Sequence, residues 1–413
     1  MLFADHYLSD EQRLMRGTCR TYVDEVVIPW IAADRWREWH ADPAQRLMPH
    51  ILEKADEIGI RYLGVPEEFG GIALDPATQT QTFAIIATEL ARGDSGLADK
   101  LVQNWKISVL IGALAPAHLK EKWFAAYMAD PQFLMAHALT EPRGASDRWL
   151  PYNVPEAAMA TRAAQDGDEW VINGRKQFIS NGYDANVYIV YANTDTSQGV
   201  QQGTSSFIVP RDTPGLEVAR CNETFGGRFM NNGEIAFEDC RIPADHLLAH
   251  NNAIGAAGMY FQPGKIFVAA KNLGIGIAAY EQTVKWVHER EQGGRILIKH
   301  QAVASRLADM ATKIEAVEAL LRHAALAVDE AAPDAQVLCN MVKVYASEEI
   351  LKVVQQALEL HGGYGAMVEV GIEKLFRDAA VCLHSDGTVD VTNFKIVKGL
   401  FPNTAGKYAG PEQ

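Results

Sequence analysis

The residues of this chain that could do chemistry are mostly single, and several familiar catalytic spacings are missing. GxxxxGK followed by Ser or Thr, GxSxG and HExxH do not occur, which removes the phosphate loop, the serine-hydrolase elbow and the zincin helix as readings. His384, Ser385 and Asp386 have the residue types of a hydrolytic triad. Consecutive residues cannot form the relay of hydrogen bonds that a triad needs. His246 and His250 are four apart, the spacing of two ligands on one helix face, but no third ligand accompanies them; loop histidines are expected there and no metal. Gly274 and Gly276 in LGIGIAA (273–279) form a Gly-x-Gly inside a helical pattern. Without a preceding strand it is not a dinucleotide fingerprint, and its small residues predict close helix packing. HALTEPRGASD (137–147) is more informative, since a strand end running into a turn of Gly and small residues exposes backbone N–H groups and hydroxyls to a ligand.

The elements that must position these residues fall into three zones. From Ser9 the pattern is helical, opened by Ser9-Asp10-Glu11-Gln12, a capping-box sequence, and interrupted by the loop GVPEEFGG (64–71). Between Leu134 and His250 the runs become short and β-rich, separated by Asn-Gly, Gly and Pro. After Asn251 the helical period returns. Leu307, Met310, Ile314, Val317, Leu321, Ala324 and Val328 recur at steps of three and four, a stripe that buries one face of a helix in a bundle. The expected class is α+β, mostly α: an N-terminal helical domain (1–133), a middle β-barrel or sandwich domain (134–250) and a C-terminal four-helix bundle (251–413).

Composition narrows the partners. With 38 Lys+Arg against 52 Asp+Glu the 413-residue chain carries a formal charge of −14, which repels phosphate backbones and anionic lipid, so no nucleic-acid partner is expected. Its five cysteines form no CxxC pair, so a reducing, cytoplasmic setting is expected. The start MLFADHYLSDEQ has no basic region followed by an apolar run, and Lys271 interrupts the apolar stretch 266–280; neither export nor a membrane span is expected.

Farther along come GRKQFISNG (174–182), FEDCRIP (237–243), HEREQGG (288–294), HQAVASRLADMATKIEA (300–316), LHGGYG (360–365), EKLFRDA (373–379) and SDGT (385–388). With the 137–147 turn, this ordered set resembles the acyl-CoA dehydrogenase family over nearly the whole chain. The resemblance implies FAD, an acyl-CoA substrate, a homotetramer, and an electron acceptor such as an electron-transfer flavoprotein or oxygen. It places Thr140, Phe178 (where the family often has Trp) and Ser180 (where Thr is usual) beside the flavin ring. Ser146 would hold the pyrophosphate, Arg290 would reach a neighbouring subunit's FAD, Gly362 and Gly363 would let backbone approach that dinucleotide, and Thr388 would help fix it. Taken singly, Arg290 reads equally as a surface helix charge and Gly362-Gly363 as a helix C-cap.

Asp386 stands where most of the family carries its catalytic Glu, and the resemblance makes it the base. It would take the α-proton of the thioester while the β-hydrogen leaves as hydride to flavin N5. Its side chain is one methylene shorter than Glu, about 1.5 Å of reach. The family's other placement of that Glu falls on Gly264, and the Arg usually next to it is Lys265; these two residues are assigned to the substrate, with open volume expected at Gly264 that would suit a bulky or cyclic acyl group. Glu359 and Asp390 replace glutamines, Gly293 replaces an aromatic, and RWLPYNVPEA (148–157) resembles an insertion. The Asp, the insertion and the QGG run also resemble nitroalkane oxidase. The Ser and Arg which that enzyme uses beside its Asp fall on Gly264 and Asn393, which can do neither job. Three functions stay open: acyl-CoA α,β-dehydrogenation, nitroalkane oxidation, and a weakly active or noncatalytic flavin-binding subunit.

Overall fold

The computed structural model describes residues 7–144, 146–147, 153–261 and 263–402. Residues 148–152 of the expected insertion lie outside that set. The chain opens with α1 (Asp10–Tyr22), where Ser9 accepts from the Gln12 amide and the Gln12 side chain accepts from the Ser9 amide, the capping box in full. Next come α2 (Ile28–Ala33), α3 (Pro49–Glu57), α4 (Gln79–Gly93), α5 (Ser95–Leu114) and α6 (Ala117–Ala129). Asp94 caps α5 by accepting from the Leu97 amide.

The middle of the chain is an eight-stranded sheet ordered β6-β7-β3-β2-β4-β5-β8, with β1 pairing β4 in parallel. Its strands are β1 (Met135–Ala138), β2 (Arg162–Asp166), β3 (Glu169–Ile179), β4 (Val187–Asn193), β5 (Thr204–Pro210), β6 (Leu216–Cys221), β7 (Gly233–Pro243) and β8 (Leu247–Ala249). β4 is buried along its whole length, because α5 and α6 cover one of its faces through Ile107, Leu110 and Phe124, while Trp170, Phe207 and Ile235 fill the other.

The last zone is helical, with α7 (Ala253–Phe261), α8 (Pro263–Glu289), α9 (Gln301–Asp329), α10 (Ala335–His361), α11 (Ile372–Cys382) and α12 (Val389–Leu400), and a hairpin of β9 (Glu291–Gln292) and β10 (Arg295–Ile296) between α8 and α9. The expected α9 stripe is buried from Leu307 to Ala324 and half-buried at Val328. α8 runs through the centre of the molecule and touches α4 as closely as it touches α10. At Gly274 a β-carbon would lie 2.3 Å from the Thr88 carbonyl of α4, and at Gly276 one would lie 2.6 Å from Ile350 of α10. The Gly-x-Gly is a packing device. No described helix is long and apolar enough to cross a membrane.

The three zones meet in one buried charge network. Lys374 on α11 bonds Asp94 at 2.6 Å and Asp378 at 2.7 Å, Arg377 bonds Glu38 at 2.6 Å, and Asp378 accepts from the Gly227 amide at 2.8 Å. Helix start, middle-zone loop and bundle are thereby fixed to one another at the edge of a cleft that Asp378 and Gly227 help to line.

Candidate functional site

The cleft between the three zones has a volume of about 510 Å³. It gathers Thr140, Ser146, Phe178, Ser180, Lys265, Asp386 and Thr388 from distant parts of the sequence. The turn carrying Thr140 is anchored from below. The Lys176 ammonium, fully buried, donates to Glu141 Oε1 at 2.8 Å and to the Leu139 carbonyl at 3.1 Å, and Glu141 also accepts from the Ala160 and Thr161 amides. Gln177 N then donates to the Thr140 carbonyl at 2.9 Å, joining this turn to β3.

The same stretch of β3 explains Phe178. Between Lys176 and Ile179 the register against β7 slips, two residues facing one, and a bulge of this kind redirects a side chain. Phe178 takes φ 57, a region costly for a residue with a bulky side chain, and remains 60% exposed in the cleft wall. The hydroxyls of Thr140 and Ser180 make no hydrogen bond among the described residues. An exposed aromatic face flanked by two uncommitted hydroxyls fits a flat ligand with polar edges.

Asp386 lies across the cleft in the turn between α11 and α12. Its backbone is left-handed, φ 52, a conformation Asp tolerates better than most residues. It does not cap a helix, because Thr388 is the N-cap of α12 and accepts from the Val391 amide. The turn is held by Lys343 of α10, which donates to the Leu383 carbonyl at 3.1 Å and the Gly387 carbonyl at 2.8 Å. Burial pushes the Lys343 ammonium down to about 8, against the opposite pull of Asp386 and Cys382.

One expectation about this corner needs correction. The space at Gly264 is not open: a β-carbon there would lie 2.9 Å from Asp386 Oδ2. The carboxylate thus crowds the space a side chain at 264 would need. Asp386 also has a cation close by. Lys106 Nζ lies 3.8 Å from Asp386 Oδ2, supplied by α5, outside the positions where the resemblance directed attention. Lys271 is close as well; burial works against its charge, but Asp99, 2.6 Å away, holds its pKa above the ordinary lysine range.

The remaining site candidates lie elsewhere. Arg290, at the end of α8, packs over the rings of Trp286 and Tyr364, 5.7 and 5.3 Å from their centroids. Gly362 and Gly363 precede Tyr364 in the exposed turn after α10, Gly362 with φ 60, and nothing lies within 4 Å of a β-carbon at either. These three form a second, exposed patch that does not line the cleft. Glu359 is on the surface in an ion pair with Arg306, and Gly293 supplies the first of two positive-φ residues in the β9–β10 turn. Among the described residues no three His, Cys, Asp or Glu gather to hold a metal. His246 instead hydrogen-bonds the Ile208 carbonyl.

Three family models cover most of the chain: Acyl-CoA dehydrogenase, N-terminal domain (residues 9–130), middle domain (136–240) and C-terminal domain (254–401). Among curated relatives, the mitochondrial short-chain specific acyl-CoA dehydrogenase of Rattus norvegicus is 30% identical over 403 residues, 95% of this chain and 90% of the relative. Cyclohex-1-ene-1-carbonyl-CoA dehydrogenase of Syntrophus aciditrophicus is 31% identical over 406 residues, 96% of this chain and 91% of the relative. The solved butyryl-CoA dehydrogenase of Megasphaera elsdenii superposes with a TM-score of 0.84 at 27% identity, covering 96% of this chain and all of that one.

Proposed function

The chain belongs to the acyl-CoA dehydrogenase family, FAD-dependent oxidoreductases, and on that premise we propose that it binds FAD and dehydrogenates an acyl-CoA thioester between the α and β carbons, with Asp386 as the base. The observation that carries this reading is Asp386 itself, a carboxylate in a left-handed turn on the cleft wall, with Phe178, Thr140 and Ser180 also lining that cleft. Thr140, Phe178 and Ser180 would hold the flavin ring, and Ser146 and Thr388 the rest of the dinucleotide. Bound FAD would supply the acceptor for the hydride that leaves the β-carbon.

The chain's own residues do the rest. The Asp386 backbone N–H polarises the thioester carbonyl, which acidifies the α-carbon, and the Asp386 carboxylate takes the α-proton. Lys343 holds the turn so that amide and carboxylate keep their relation. Pantetheine contacts position the α-carbon with binding energy remote from the reacting atoms. A cyclic acyl group is favoured by one relative, whose name specifies a cyclohexene carbonyl thioester. In an assembly of four copies, Arg290 with Gly362 and Gly363 would meet the dinucleotide of a neighbouring copy. An electron-transfer flavoprotein or oxygen would reoxidise the flavin.

Nitroalkane oxidation is the second reading, and Lys106 favours it, since a cation 3.8 Å from the base would offset the charge of a nitronate. Anaerobic flavin bleaching separates the two. Acyl-CoA thioesters should reduce the flavin at least about tenfold faster than nitroethane, a difference of about 1.4 kcal/mol in barrier. The reverse order would establish the second reading, and no bleaching by either would identify a noncatalytic flavin subunit.

A further inference from the structure

The wall of the cleft that α5 contributes is unusually polar for a site that holds an acyl group. Asp99, Gln103 and Lys106 follow one another at steps of four and three, on one face of the helix, and all three line the cleft. Two of them, Gln103 and Lys106, make no side-chain hydrogen bond among the described residues. Gln103 is buried, 7% exposed, and its amide makes no hydrogen bond among the described residues. The Lys106 side chain is 11% exposed and pairs with Asp386 at 3.8 Å, beyond hydrogen-bond distance. Other buried lysines differ sharply: Lys176 has Glu141, Lys271 has Asp99, and Lys343 has two carbonyls. The stems of both are mostly covered while their polar heads open to the cleft without a protein hydrogen bond, so these two are provisioned for something that enters it.

We propose that Gln103 and Lys106 form a specificity site for a neutral oxygen substituent, a hydroxyl or ring oxygen function, on the acyl part of the substrate. The inference deepens the thioester reading above and rests on it. Location argues for the acyl part: Lys106 stands beside Asp386, where the α-carbon must come, so the groups it can reach are a few bonds from the reacting carbons. Chemistry argues for a neutral oxygen. The wall offers donors in Lys106 and Gln103 and acceptors in Gln103 and the partly exposed Asp99, a set that satisfies a hydroxyl both ways. A second carboxylate would gain Lys106 but would also face Asp99 and Asp386, two like charges. A plain alkyl or cycloalkyl group would leave both polar groups buried and unmatched, and sites built to hydrogen-bond an oxygen discriminate strongly against the analogue that lacks it.

The test compares kcat/KM for flavin reduction of the FAD-loaded enzyme by cyclohexanecarbonyl-CoA, its ring-hydroxylated analogues and its ring-carboxylated analogue, in the parent, Lys106→Met and Gln103→Leu. Each variant exchanges a polar head for an apolar end and is one heavy atom shorter than the residue it replaces. Because every substrate meets the same Asp386, the ratio between substrates cancels any change in the base itself. At least one hydroxylated thioester should exceed the plain ring by about tenfold or more in the parent, and the ratio should fall toward one in each variant, chiefly through KM. A plain ring preferred by the parent, a ratio unchanged in both variants, or preference for the carboxylated ring would each overturn the proposal while leaving thioester dehydrogenation intact. No reduction by any acyl thioester would instead overturn the thioester reading, and this inference with it.

Discussion

At the scale of single residues the account turns on how tightly Asp386 is held. Gly264→Ala places a methyl 2.9 Å from Asp386 Oδ2, closer than β-carbon contacts in folded proteins come. The carboxylate must move, and since a displacement of about 1 Å can cost a proton transfer about 100-fold, flavin reduction should fall steeply while FAD content stays unchanged. A rate within a few-fold of the parent would show that Asp386 has slack. Lys343 gives a pH signature. Buried and pushed down to about 8, it is mostly charged at neutral pH and mostly neutral a unit above 8. Its two bonds to the Asp386 turn weaken with that loss, so the reduction rate should decline as pH rises through about 8, and Lys343→Met should lack the limb. An identical limb in the variant would assign it to another group. Asp386 was legible because it sits in an ordered motif. Lys106 was not, because no local pattern joins residue 106 to residue 386; only the packing of α5 against the bundle brings them to 3.8 Å.

At the scale of elements, the sequence carried what periodicity and caps encode. Ser9 with Gln12, the α9 stripe and the Gly-x-Gly of α8 all do in the structure what their spacing predicts, since each depends on neighbours a turn away or on a uniform face. Gly274→Ala tests the closest of these contacts. With the Thr88 carbonyl 2.3 Å from the new carbon, α4 and α8 must separate, at a cost of about 1–3 kcal/mol by the usual penalty of overpacking, seen as a lower unfolding midpoint. What stayed hidden is the support under the Thr140 turn. Lys176 lies within GRKQFISNG, and nothing in that string shows that its ammonium is fully buried against Glu141. Lys176→Met strands the Glu141 carboxylate in the interior, a loss of about 3–5 kcal/mol by analogy with other broken buried pairs, and should weaken FAD retention along with thermal stability. Unchanged melting would mean that water reaches Glu141.

At the scale of the whole molecule, the cleft exists because three zones distant in sequence are joined by the network of Lys374, Arg377, Asp378, Glu38 and Asp94. The second patch, Arg290 with Gly362 and Gly363, is exposed in the single chain. If it completes a neighbour's dinucleotide site, Arg290→Ala should lower both FAD occupancy and the assembly mass seen by light scattering, and loss of neither would leave Arg290 as a surface charge stacked on Trp286. The central claim, that Asp386 removes the α-proton, is tested most directly by single-turnover flavin reduction in Asp386→Asn with the best acyl-CoA substrate. The substitution keeps shape and removes the proton acceptor. The account predicts a fall of at least about 100-fold, the usual effect of losing a general base, with FAD content unchanged; a rate within a few-fold of the parent would contradict it.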